Sequence, residues 1–180
     1  ALEFDGTADN LAIAHSSDWN VSVLDLLVVL TATSSTGARG VINKFATVAW
    51  NDAWGLAVEG GRFYCGSPGY STVSGPYIGG TRILIYCHLE NGKNGAQFGP
   101  VYAGTNTGTG PQNTTASVRI GRGDPTGAFY FAGAINEIKI FGGGMTEQEV
   151  MDSKNTIRAK SGLAHFPSRP SHPMISQVIV

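Results

Sequence analysis

Charge is scarce in this chain. Asp, Glu, Lys and Arg together make up 14% of its 180 residues, against roughly 25% in an ordinary soluble domain. That scarcity excludes the low-hydrophobicity, high-charge composition of disordered chains and the Glu- and Lys-rich surfaces of coiled coils and helical bundles. The net charge of −1 leaves no basic field to gather nucleic acid or an anionic membrane surface. Long hydrophobic runs are missing as well. No stretch approaches the ~18 apolar residues of a transmembrane helix, and no basic segment with an apolar run behind it opens the chain as a signal peptide would. Ala1 fits an N-terminus left by initiator-methionine removal, and a processed or cut start equally. There are only two cysteines, Cys65 and Cys87, and they lack CxxC spacing. Two readings stay open for them: one disulfide in a secreted protein, or two buried small hydrophobes in a cytosolic one. The four histidines, His15, His88, His165 and His172, show no i,i+4 or His-x-His pairing, so nothing points to a zinc site or a catalytic triad.

Glycine is plentiful instead, at 25 residues, about twice the usual share of ~7%. Apolar content is ordinary at 42%, enough for one core. Short strands joined by glycine-rich turns are the class this mixture favours. Segments 2–5 and 10–14 alternate around a turn at 5–9. The run 21–33 reads as a central strand covered on both faces. Val41 to Phe45 is a further strand. The segments 54–58 and 62–65 flank Glu59-Gly60-Gly61, a hairpin signature. Residues 66–80 and 103–117 read as long loops. In 81–89, Ile83, Ile85 and Cys87 alternate with Arg82, Leu84, Tyr86 and His88. Residues 118–121 and 129–141 are the last strands, the latter with Ile138 and Ile140 opposite Glu137 and Lys139. Thr146-Glu-Gln-Glu149 is a capping box that opens a helix over about 146–160, ended near Gly162. Prolines 167, 170 and 173 then space out an extended segment. The expected organisation is a sandwich over 1–145, a helix over 146–162 packed on it, and an extended arm over 163–180.

Several motifs carry a resemblance. Leu2-Glu-Phe-Asp5-Gly6, Asp9 and Leu11-Ala-Ile13 look like the opening of laminin-G-like, concanavalin A-like jelly rolls. Val41-Ile-Asn-Lys44 and Asn91-Gly92 sit where that family has a strand and a central hairpin. Val118-Arg-Ile120-Gly121 followed by Phe129 to Phe141 is the most specific match, through Gly133, Ile135, Glu137, Ile138, Ile140 and Phe141. Asn136 stands where the family usually has Asp. The resemblance covers about residues 1–152 and implies an all-β, antiparallel two-sheet jelly-roll sandwich. Fold alone does not fix function.

Related jelly rolls include glucanases, which carry Glu-x-Asp-x-x-Glu on a strand. Here Glu3-Phe-Asp5 starts that spacing, but position 8 is Ala, and Glu147-x-Glu149-x-x-Asp152 lies on the helix, where the period is wrong. A non-enzymatic protein without a cofactor is expected. Many laminin-G-like domains hold calcium at a rim. The candidates here are Asp9, Asp52 and Asp124, each also explained by turn chemistry. Trp50-Asn51-Asp52, with Tyr70 and Tyr77, offers aromatic faces and polar groups for a glycan; Trp54, in phase with Leu56 and Val58, reads as core. Arg122-Gly123-Asp124 spells an integrin tripeptide, read as coincidence. Asn20-Val-Ser22 and Asn113-Thr-Thr115 are glycosylation sequons.

The segment 163–180 resembles, loosely, the tails of small laminin-G-like proteins of tailed bacteriophages. It gives an assembly arm in His165, Phe166, Pro167, Ile175, Val178, Ile179 and Val180. The leading expectation is a virion decoration or accessory protein, made in the cytoplasm. Its partners would be copies of itself or other structural proteins, with glycans touched through the loops and no nucleic acid or membrane insertion. The alternative is a glycan-binding lectin domain of a secreted or cell-surface protein.

Overall fold

A computed structural model of the chain describes residues 1–46, 53–67, 71–77, 79–99, 101–106, 108–123 and 129–163. Its strands are β1 (Leu2–Asp5), β2 (Leu11–Ile13), β3 (Val23–Ala32), β4 (Arg39–Asn43), β5 (Gly55–Glu59), β6 (Arg62–Ser67), β7 (Ser71–Pro76), β8 (Arg82–Glu90), β9 (Asn94–Phe98), β10 (Val101–Asn106), β11 (Val118–Ile120) and β12 (Ala132–Gly142). One helix, α1 (Glu147–Ser161), follows them. The strands form two six-stranded sheets, ordered β1-β12-β3-β8-β9-β10 and β2-β11-β4-β5-β6-β7. All pairings within the sheets are antiparallel. This is the jelly-roll sandwich expected from the sequence.

Alternation builds the core. Leu24, Leu26, Val28, Leu30 and Ala32 of β3 face Leu56, Val58, Phe63 and Cys65 of the second sheet, and Trp54, Phe98 and Phe131 fill the space between. The opposite face of β3 does not reach water. Leu27 and Val29 pack with Leu84 and with Ile157 of α1, beside Tyr86, Phe141, Met145 and Leu163. That is why residues 21–33 are apolar in both phases. Thr146 caps α1 with both halves of the capping box in place, and Gly162 closes it in the left-handed conformation.

Two expectations need correction. Residues 66–80 are not one loop: β6 runs to Ser67 and β7 pairs with it from Arg62↔Pro76 to Ser67↔Ser71. Small residues and a proline hid an edge strand, where Pro is tolerated because no ladder bond is lost on the open side. Residues 103–117 likewise begin with β10, and the remainder is held rather than free. Gly92 N–H donates to Gly108 O at 2.8 Å, Asn94 Nδ2 donates to Thr109 O at 3.1 Å, and Lys44 Nζ donates to Thr114 O. Cys65 of β6 and Cys87 of β8 are paired as a disulfide, Cα–Cα 6.2 Å, joining the two sheets through the core. Among the described residues no helix is long and apolar enough to cross a membrane.

Candidate functional site

The sandwich has two poles. Strand registers place the start of β3, the β8–β9 turn and the β4–β5 and β6–β7 connections at one pole, called here the loop pole. The β5–β6 hairpin and the start of β8 lie at the other, the turn pole. On the outer face of the first sheet, α1 lies over β3, β8 and β9.

At the loop pole, Lys44 follows β4 and is fully buried. Its ammonium donates to Asn20 Oδ1 at 2.9 Å and to Thr114 Oγ1 at 3.1 Å. Lys44 N–H also donates to Trp54 O at 2.9 Å. One side chain therefore ties the segment after the 3-10 turn Ser17–Trp19, the end of β4 and the 108–117 segment into a single frame.

Trp50, Asn51 and Asp52 lie outside the described residues, and so does Tyr70. Their anchors are described. Residues 47–52 lie between β4 and β5, which close at Asn43↔Gly55, and 68–70 lie between β6 and β7, which close at Ser67↔Ser71. The two connections leave one pole about 10 Å apart, two strand spacings. Tyr77 is elsewhere. It follows β7 at the turn pole, its N–H donates to Gly61 O, its ring lies 5.8 Å from that of Phe63, and its hydroxyl donates to Ala32 O at 3.2 Å. Packing and the backbone occupy both its ring and its polar tip. Trp54 is core, as its phase implies.

Of the calcium candidates, Asp9 accepts from Asp5 N–H at 3.0 Å, a turn contact, while Asp52 and Asp124 lie outside the described residues. Among the described residues no three His, Cys, Asp or Glu side chains gather as a metal site. Asp5 accepts from the N–H groups of Thr7 and Ala8 and from the Thr7 hydroxyl, and these bonds hold its carboxyl down at about 2. Arg122 stacks over the Tyr130 ring at 5.2 Å, and Gly123 is buried against Phe129, so two residues of the integrin-like tripeptide are packed. Of the sequons, Asn20 is tied to Lys44 and Asn113 is exposed. The arm residues His165, Phe166, Pro167, Ile175, Val178, Ile179 and Val180 lie outside the described residues.

Two cavities that the sequence does not announce flank Gly142 at the loop pole. One, of about 190 Å³, is lined by Asp18, Trp19, Val21, Leu24, Ile140 and Gly142. The other, of about 360 Å³, is lined by Phe141, Gly142, Gly144, Met145, Glu149, Asp152 and Ser153. The signal for the first was the string Asp18-Trp19-Asn20, the same mix of one indole and two polar side chains as Trp50-Asn51-Asp52.

A buried polar node sits under α1. Asp25, with no exposure, accepts from Tyr86 Oη at 2.7 Å and from Met145 N–H at 2.7 Å, and it meets His88 Nδ1 at 2.8 Å. Burial alone would raise the Asp25 carboxyl. The bonds from His88, Tyr86 and Met145 outweigh it and leave the group below its ordinary value. The bond to Asp25 raises the His88 imidazole, against burial. Lys154 lies over the Tyr86 ring at 4.1 Å and donates to Gln97 Oε1 at 2.9 Å; burial first, then the Arg158 charge, lowers it to about 8. Asp25 through Met145 N–H and Lys154 through Gln97 and the Tyr86 ring fasten α1 to the sheet.

No family model matches the chain, and no curated protein matches it in sequence. Solved structures do match in fold. Domain 4 of AbnA, an extracellular GH43 arabinanase from Geobacillus stearothermophilus, in complex with arabinotriose, superposes with a TM-score of 0.64 at 16% identity, over 83% of this chain and 74% of that one. The CBM40 of the Ruminococcus gnavus IT-sialidase, bound to α2,3-sialyllactose, gives 0.58 at 12% identity, over 82% and 96%. The Trypanosoma rangeli sialidase gives 0.62 at 12% identity, over 83% of this chain and 26% of that one. At these identities the likeness establishes the jelly-roll sandwich and nothing finer.

Proposed function

We propose that this protein is a non-catalytic glycan-binding module of a secreted or cell-surface protein, and that it recognises saccharide at the loop pole. One observation carries the reading: the connections bearing Trp50-Asn51-Asp52 and Tyr70 spring from the same pole, about two strand spacings apart. That separation suits stacking of sugar rings with hydrogen bonding between them. Matched structures that hold arabinotriose and sialyllactose support it. The disulfide between the sheets supports an oxidising compartment. The non-catalytic part is supported by two carboxylates already engaged, since Asp5 is held in a turn and Glu149 in the helix cap.

The decoration-protein reading, with copies of the chain or other structural proteins as partners, is supported by sequence alone. Its arm lies outside the described residues, and none of the matched structures named above is a virion protein. A glycan array with the isolated protein tests the module. We expect binding to a defined set of glycans, weakened at least about tenfold by Trp50→Ala and unchanged by deletion of residues 164–180. A blank array removes the reading.

A further inference from the structure

We propose that the cavity beside Trp19 is a subsite for one uncharged sugar ring. The proposal rests on the glycan-binding reading and goes past it by naming a place and a ligand class. A sugar ring has an apolar C–H face and a rim of hydroxyls that both donate and accept. The cavity meets each need with a separate group. Val21, Leu24 and Ile140 supply apolar wall, and Trp19 packs partly exposed against the core beside them. The Trp19 Nε1–H has no partner among the described residues, so it is a free donor. Asp18 Oδ2 accepts from the Ser16 hydroxyl at 3.1 Å, and Oδ1 has no partner among the described residues.

The two residues are also placed in advance. They belong to the 3-10 turn Ser17–Trp19, whose start is capped by Ser16 accepting from Asp18 N–H. A ligand therefore meets a formed pair rather than ordering one. Size argues for a single ring. A volume of about 190 Å³ equals roughly six waters' share of liquid, and it falls below the ~300 Å³ at which drug-sized pockets begin. Charge argues for a neutral one: the lining has a carboxylate and no cation, so an acidic sugar is repelled. Asn20, next in sequence, accepts from Lys44, and Lys44 leads into the segment that carries Trp50. The cavity is thus tied through Asn20 to the frame from which the β4–β5 connection starts.

The test is titration of the full chain with arabinotriose, lactose and α2,3-sialyllactose, read by calorimetry and by the Trp19 indole N–H signal in NMR. Two variants keep the fold within reach. Asp18→Asn removes the charge on an exposed turn, and Trp19→Phe keeps an aromatic ring while removing the donor. We expect a neutral sugar to shift the Trp19 signal, each variant to weaken binding about tenfold with an unchanged unfolding midpoint, and α2,3-sialyllactose to bind more weakly than lactose. Trp50-dependent binding that both variants leave untouched overturns this subsite and spares the glycan-binding reading. Tighter binding of the sialylated sugar overturns its neutral preference. No binding of any saccharide, with a blank array, overturns both.

Discussion

Asp25 shows how much one side chain holds at this fold's second interface. Its carboxylate is wholly buried and joins β3 to β8 through Tyr86 and His88, and to the start of α1 through Met145 N–H. Removing it leaves those donors without their acceptor. Asp25→Ala should cost about 3 kcal/mol, read from urea unfolding; a loss no larger than that of an exposed Asp→Ala control would refute the role. His88 should titrate above the ordinary ~6.5 in NMR, because the Asp25 bond favours its protonated form. Its contribution to stability is full below that ordinary value and fades as pH rises through the folded one. In Asp25→Asn the His88 midpoint should fall; an unmoved midpoint would show that the bond does not set it.

Residue-level legibility in the sequence was uneven. The glycines matched at 121 and 133 have a physical basis visible only in three dimensions. Both have positive φ, 82° and 139°, and a Cβ would collide with the Phe4 ring at the first and with Thr31 O at the second. Asn136, where the family usually has Asp, keeps its Oδ1 buried without a hydrogen-bond partner among the described residues, a position that suits an uncharged amide better than a carboxylate. Tyr77 misled because an aromatic in a polar stretch reads alike whether it meets solvent or a neighbouring Phe.

At the scale of elements, α1 is the part the sequence announces most clearly and the part most dependent on its neighbours. Capping chemistry is local, so Thr146, Glu149 and Gly162 are legible one by one. Thr146→Ala should destabilise by about 1 kcal/mol, read by thermal unfolding; no change would mean the first turn is held by Asp25 instead. The face α1 buries is less legible, because beside Val150 and Ile157 it carries the charged Arg158 and Lys154. Lys154 adds a pH signature of opposite sense to that of His88. Its folded value is about 8 against ~10.4 in an unfolded chain. Between them the unfolded state binds more protons, so stability should rise with pH across that window. Lys154→Met should flatten the rise, and an equal slope in the variant would count against it. The missed strands share a cause. β7 and β10 are sheet edges, rich in small and polar residues. Strand propensity is read from a half-buried apolar face, and edges carry little of one.

For the molecule as a whole, the strongest long-range link is covalent. Cys65 and Cys87 are 22 residues apart and connect sheets that also meet through side-chain packing and hydrogen bonds such as that from Tyr77 Oη to Ala32 O. A loop of that length is worth about 3 kcal/mol. Incubation with a thiol reductant should lower the unfolding midpoint in calorimetry, and Cys65→Ala/Cys87→Ala should match the reduced protein; a midpoint insensitive to reductant would exclude the bond in solution. The pairing was open in the sequence because two cysteines give one arithmetic answer but no distance.

The direction of α1 has a further consequence. It starts beside Asp25 near the loop pole and ends where Arg82 Nη1 donates to Ser161 O, at the turn pole. Leu163 therefore hands the chain onward from the end opposite Trp19 and Lys44. A tether attached after that residue would hold the sandwich like a lamp on its stem, with the loop pole outward. Several copies on one support would share that aim, and many weak contacts would add into firm adhesion.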